Sequence, residues 1–179
     1  MNIKRSNTML KKIILVTTVA IGLTSSAVSA EFMDKTWAKN MCDAWNNSST
    51  LTTGLAKWAT NNKDRGYKLI QIYRTQCDTK SKIQLNIINK DGKAMCEYGG
   101  KPDGKKVDYD VDYLMHADDE DWTCMGKGSF GCGAMGAMMS GKLKFTGPKG
   151  EAMTVMGPFG AFLELTGSVE GVKGQTCPK

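Results

Sequence analysis

The chain has 179 residues and a formal net charge of +6. Four of its bases, Lys4, Arg5, Lys11 and Lys12, lie in the first 30 residues, which contain no acid. Without that segment the charge drops to +2, so the basic isoelectric point is no argument for a nucleic-acid partner.

Residues 1–30 read as a signal peptide. A basic region is followed by an apolar run from Ile13 to Leu23 and by the small-residue cleavage site Val28-Ser29-Ala30. The run is shorter than the roughly 20 residues that a membrane span requires. Cleavage after Ala30 leaves one domain-sized chain, expected in the bacterial periplasm. Its six cysteines, Cys42, Cys77, Cys96, Cys124, Cys132 and Cys177, are even in number and contain no Cys-x-x-Cys. Disulfides are the expectation for an exported chain, with Cys124–Cys132 the most local candidate and the other pairings open.

In chain order, Asp34 to Asn47 reads as an amphipathic helix. Trp37, Met41 and Trp45 share one face and Asp34 is placed to cap it. A second helix is expected from Thr50 to about Asn61, weakened by Gly54. The period then changes to two. Tyr67 to Cys77 reads as a strand, and Lys82 to Ile88 alternates Ile83, Leu85 and Ile87 with Lys82, Gln84 and Asn86. Asn89-Lys90-Asp91-Gly92 signals a tight turn into an antiparallel strand from Lys93 to Tyr98. Asp108 to Met115 reads as a further strand, with Tyr109, Val111, Tyr113 and Met115 on one face and three aspartates on the solvated one. Ala117 to Trp122 is an acidic helix start. A glycine-rich loop, Gly126 to Gly133, leads to a short helix ending near Ser140.

Residues 136–167 are apolar and rich in Met and Gly. Lys142 to Phe145 reads as a strand, and Gly147-Pro148 stops it. Met153, Met156, Phe159, Phe162 and Leu163 follow at helical spacing. Pro158 breaks a continuous helix at a cost of about 3 kcal/mol, so a pair of helices or a kink at Gly157 is expected, with Met156 in the first part. Residues 31–167 form the expected domain, and 168–179 a polar tail unless Cys177 ties it down.

Three motifs are weaker than they look. Gly126-Lys127-Gly128-Ser129-Phe130-Gly131 matches a dinucleotide fingerprint literally but follows an acidic helix rather than a strand, and reads as a connecting loop. Asp108-x-Asp110-x-Asp112 resembles the start of a calcium loop, yet Tyr113 stands where glycine is required. His116 is the only histidine and no Gly-x-Ser-x-Gly elbow accompanies it, so the chain reads as non-enzymatic. The cluster of Cys124, Met125, Cys132, Met135, Met138 and Met139 has the soft ligands that select Cu(I), against the plainer reading of core packing.

The stretch from about Asp108 to Leu165 resembles the sterol carrier protein 2-like family. Asp108 to Met115 resembles its strand before an acidic helix, and Ala117 to Trp122 the start of that helix. Ala137-Met-Met-Ser-Gly-Lys-Leu-Lys-Phe-Thr-Gly147 resembles its most distinctive segment. Ala152-Met153 and the apolar helix after it resemble its C-terminal element. The resemblance implies an α+β fold: a mainly antiparallel five-stranded sheet with helices on one face and an apolar cavity between. It also implies non-covalent binding of sterols, fatty acids or similar lipids, with no cofactor and no metal. Export is a departure from the family, as is the longer segment Thr123–Gly133 with its two cysteines.

The resulting expectation is an exported lipid-binding or transfer protein. Its cavity wall is assigned to Leu85, Ile87 and Trp122, to Met135, Met138, Met139 and Phe145, and to Met153, Met156, Phe159 and Phe162; ordinary core packing is the alternative for each. An apolar lipid is the expected partner, with transient membrane contact as one way to open the cavity. Two other classes stay open: an accessory interaction module with a collapsed pocket, and a Cu(I)-binding protein. Oligomeric state and the lipid's identity are not legible.

Overall fold

The computed structural model describes residues 30–174 and 176–178. Apart from Ala30, the segment read as a signal peptide lies outside the described residues.

Helix α1 (Lys35–Asn46) starts where the Asp34 carboxylate accepts the Trp37 amide at 2.6 Å. It buries Trp37, Met41, Cys42 and Trp45, the face expected from their spacing. Two short helices follow, α2 (Ser49–Thr52) and α3 (Ala56–Thr60), in place of the single helix expected from Thr50. The break surrounds Gly54. A Cβ there would lie 2.8 Å from the Pro158 ring, so glycine lets the two segments touch.

Strands β1 (Lys68–Arg74), β2 (Ile83–Lys90), β3 (Lys93–Gly100), β4 (Tyr113–Ala117) and β5 (Lys144–Thr146) form one sheet of order β3-β2-β1-β4-β5. All neighbours are antiparallel except β1 and β4. β1 stops at Arg74, short of Cys77, because a 3₁₀ segment (Thr75–Ser81) turns the chain. β2 and β3 meet through Asp91-Gly92, both at positive φ, the geometry of the signalled tight turn. Helices α4 (Asp119–Gly126), α5 (Ala134–Met139), α6 (Lys149–Thr154) and α7 (Met156–Ser168) complete the chain.

The sheet's inner face carries Ile70 and Ile72, Ile83, Leu85 and Ile87, and Tyr113 and Met115. All join one core with the buried faces of α1, α3, α4 and α7. The outer face is not a solvated one. Gln71 donates to Gln84 at 2.7 Å, and Gln84 and Asn86 both donate to the Asp103 carboxylate at 2.8 Å, so the loop carrying Asp103 covers a buried amide network.

The strand expected from Asp108 begins only at Tyr113. The Asp108 carbonyl accepts the Val111 and Asp112 amides, which makes residues 108–112 a turn. Tyr109 is consequently exposed, and Asp112 is fully buried rather than solvated. Its carboxylate receives Arg65 Nη1 and Nη2 at 2.9 and 2.7 Å, and the Leu69 and Asp108 amides at 2.8 Å.

The last two helices are separated at Val155, not at Gly157. Pro158 therefore falls in the first turn of α7, where its missing N–H has no intrahelical bond to lose, and Met156 opens α7 instead of closing α6. The first glycine of the glycine-rich motif has a packing role. A Cβ on Gly126 would sit 2.6 Å from the Gly167 Cα, so α4 and α7 meet backbone to backbone.

Three disulfides, Cys42–Cys96, Cys77–Cys177 and Cys124–Cys132, use all six cysteines. The first joins α1 to β3, where Trp45 also donates to the Ala94 carbonyl at 2.8 Å. The second holds the C-terminal segment, which also pairs through Val172 with Glu31. Each bridge contributes roughly 2–4 kcal/mol.

Asp112 links the turn, the 62–66 loop and β1 through buried charge-assisted bonds. Asp112→Ala removes the charged partner of Arg65 and the acceptor of the buried Leu69 amide, and should cost about 1–3 kcal/mol, read as a lower urea midpoint.

Candidate functional site

The inner face of the sheet, α3 and α7 enclose a small apolar cavity of about 10 Å³. Its walls come from Trp45, Trp58, Ile70, Tyr113, Phe159 and Phe162. That volume is room for about one water. A ligand-sized pocket needs roughly 300 Å³ or more, so a lipid requires the walls to part.

A second apolar feature lies outside. Met138, Met139, Leu143, Phe145 and Met153 form a surface groove of about 300 Å³ with Lys149 at its rim. Phe145 stands between groove and cavity. Its ring is 4.9 Å from Tyr113 and 6.0 Å from Phe159, and Phe159 in turn stacks on Phe162 at 6.4 Å. Groove and cavity are thus separated by packed rings, with Phe145 on the groove side touching Tyr113 and Phe159 of the cavity wall.

The eleven residues assigned to the wall divide accordingly. Phe159 and Phe162 line the cavity, while Met138, Met139, Phe145 and Met153 line the groove. Leu85 and Ile87 are fully buried on the inner face without reaching the cavity. Trp122 is fully buried and donates its indole N–H to the Tyr73 carbonyl at 3.1 Å. Met135 is exposed on α5, and Met156 is half-buried at the start of α7.

The cavity's rim is polar, and spacing gave little sign of it. Lys68 lies on the same face of β1 as Ile70 and Ile72, and its side chain is 0% exposed. Its ammonium donates to both Glu151 oxygens at 2.8 and 2.7 Å and sits 4.2 Å from the centre of the Trp58 ring. Tyr113 donates its hydroxyl to Glu151 at 2.9 Å and accepts the Trp58 indole N–H at 2.8 Å. Asn61 adds a bond to Glu151 at 2.6 Å. Burial pushes the Lys68 ammonium below the usual lysine range, against the opposing pull of Glu151. Burial and then the Glu151 charge hold the Tyr113 hydroxyl well above the ordinary tyrosine range. The one signal in the sequence was a lysine at the head of the apolar row Ile70 and Ile72 of period two.

No family model matches the chain, and no curated protein matches it. Solved structures do. The crystal structure of a sterol carrier protein 2 is similar with a TM-score of 0.50 at 15% identity, over 78% of this chain and 99% of that one. The chain has the sterol carrier protein 2 fold. The solution structure of a conserved protein from Thermus thermophilus, described as possibly a sterol carrier protein, is similar with a TM-score of 0.51 at 15% identity, over 83% of this chain and 96% of that one. The sterol carrier protein 2-like sheet order and its helical cover are what bring residues 58, 68, 113 and 151 together from four separate elements.

The two shifted groups act in different pH windows. Just below pH 10.5 the unfolded chain keeps a proton that folded Lys68 releases, so stability rises with pH there. Tyr113 has a raised folded pKa. Its contribution is complete below pH 10.0 and is lost as pH rises further. Tyr113→Phe should reduce the loss of stability above pH 10.0, read from urea midpoints, and leave the part due to Tyr73, whose hydroxyl is also raised by burial. At neutral pH it should cost about 1–3 kcal/mol, because the Trp58 N–H loses its acceptor.

Proposed function

We propose that the chain is an exported, non-enzymatic carrier that holds an apolar lipid between the inner face of the sheet and α7. The observation that carries this reading is the run of apolar side chains in contact from the methionine groove through Phe145 to the aromatic cavity, which opens into a path if the rings part. Sterol carrier protein 2, named for what it carries, has this fold. Burial of each methylene gains roughly 0.8 kcal/mol, enough for a long chain to pay for parting the rings. Unbranched, polarizable methionines suit a mouth that meets variable chains. Three disulfides suit the oxidising compartment implied by the signal-like N-terminus. Among the described residues no helix is long and apolar enough to cross a membrane.

The cavity's size favours one alternative, an accessory module whose pocket stays collapsed. The Cu(I) reading is weakened, because Cys124 and Cys132 are bonded to each other and offer no thiolate.

Native mass spectrometry of freshly purified protein, with extraction of bound lipid, separates carrier from collapsed module. The carrier arrives with lipid or takes up fluorescent fatty acids or sterols; a protein that does neither is not a carrier. The Met139→Asp, Met153→Asp variant tests the groove. Both residues are exposed, so stability should change by about 1 kcal/mol or less, while lipid uptake should slow at least about tenfold in stopped-flow fluorescence.

A further inference from the structure

The Glu151 carboxylate is held in an unusual way. It receives four donated bonds from three other elements: two from Lys68 on β1, one from Tyr113 on β4, and one from Asn61 after α3. Yet α6, which carries it, is six residues long and buries a single side chain, Ala152. Three strong anchors therefore point at a carboxylate that a weakly embedded segment delivers.

The position of this carboxylate is equally specific. On one side, Glu151 faces an open cleft of about 580 Å³ that it lines with Asn61, Trp58 and Val155. On the other, Trp58 and Val155 also line the apolar cavity, together with Tyr113. The donors thus stand at the junction between water and the path proposed for the lipid.

We infer that Glu151 is a built-in stand-in for the head group of the ligand, and that a long-chain monocarboxylate displaces it to bind Lys68, Tyr113 and Asn61 while its tail enters the cavity. This rests on the carrier reading and narrows it to one chemical class and one latch. The exchange is balanced in charge and in hydrogen bonds. One carboxylate replaces another on Lys68, and Glu151, already 15% exposed, swings into water with α6. Release of α6 removes Val155 from the cavity wall and Met153 from the groove, so head-group exchange and opening of the path are one event. A neutral alcohol or sterol cannot make the exchange. Its hydroxyl would leave the buried ammonium without a counter-charge, which is costly in an apolar surround.

The test compares palmitate with hexadecanol, which share a chain and differ in the head, by titration calorimetry on the full chain after delipidation. The expected result is palmitate binding at least about tenfold tighter. Lys68→Met, Glu151→Leu removes the pair together, a replacement that buried ion pairs tolerate, and should reduce the preference to about twofold or less. Glu151→Gln keeps the donors and removes the competing charge, and should tighten palmitate further without changing hexadecanol. Equal binding of the two lipids by the native protein, or a preference that survives in the double variant, overturns the latch and leaves the carrier reading standing. Binding of neither lipid overturns both.

Discussion

A charge on the inner face of a central strand has to be neutralised where it lies, and Lys68 imposes that requirement on everything around it. Water cannot reach its ammonium, so a carboxylate must come to it. Glu151 meets the need, which places α6 over the edge of the cavity and ends it before α7 begins. Trp58 offers its ring to the same cation, and Tyr113 satisfies both Trp58 and Glu151. Four elements distant in sequence are held to a common point by one buried charge.

The two faces of the sheet solve the burial problem differently. The inner face is apolar except for Lys68 and its terminal neighbour Arg74, which pairs with Asp119 on α4 through two bonds of 2.7 and 2.6 Å. The outer face buries amides under the loop after β3 and satisfies them through Asp103. A sheet whose outer face is locked by polar contacts is a stiff wall. Its inner face meets helices through rings and methionines, which repack at lower cost. Movement that admits a ligand is therefore expected on the helical side, where α6 buries only Ala152 and is held chiefly through Glu151.

The aromatic rings between groove and cavity are a closed door more than a filled core. Phe145, Tyr113 and Phe159 contact one another edge to face, and a movement of Phe145 and Phe159 strands no polar group so long as Tyr113 keeps its bonds to Trp58 and Glu151. The same cannot be said of Asp112 or Arg74, whose partners would be lost. The fold thus concentrates its irreplaceable bonds away from the apolar path, the exception being the cluster at Glu151.

Much of the architecture was legible in the residues. The alternation of Ile83, Leu85 and Ile87 identified a strand and its inner face, the spacing of Trp37, Met41 and Trp45 a helix and its buried side, and Asp91-Gly92 a turn. Met138, Met139, Phe145 and Met153 were marked by composition and do share a groove. These features depend on neighbours within a few residues, which is why periodicity and turn chemistry reveal them. Gly54 touching Pro158, Gly126 touching Gly167, and the boundary at Val155 depend on backbones far apart in sequence. So does the fate of the acids: Asp112 and Glu151 are chemically like the solvated carboxylates around them, and nothing local says that Asp112 will be buried against Arg65 or that Glu151 will meet the buried Lys68. Local pattern determined the elements and their faces, while the meeting of Lys68 with Glu151 was decided only when the sheet order brought β1, β4 and α6 side by side.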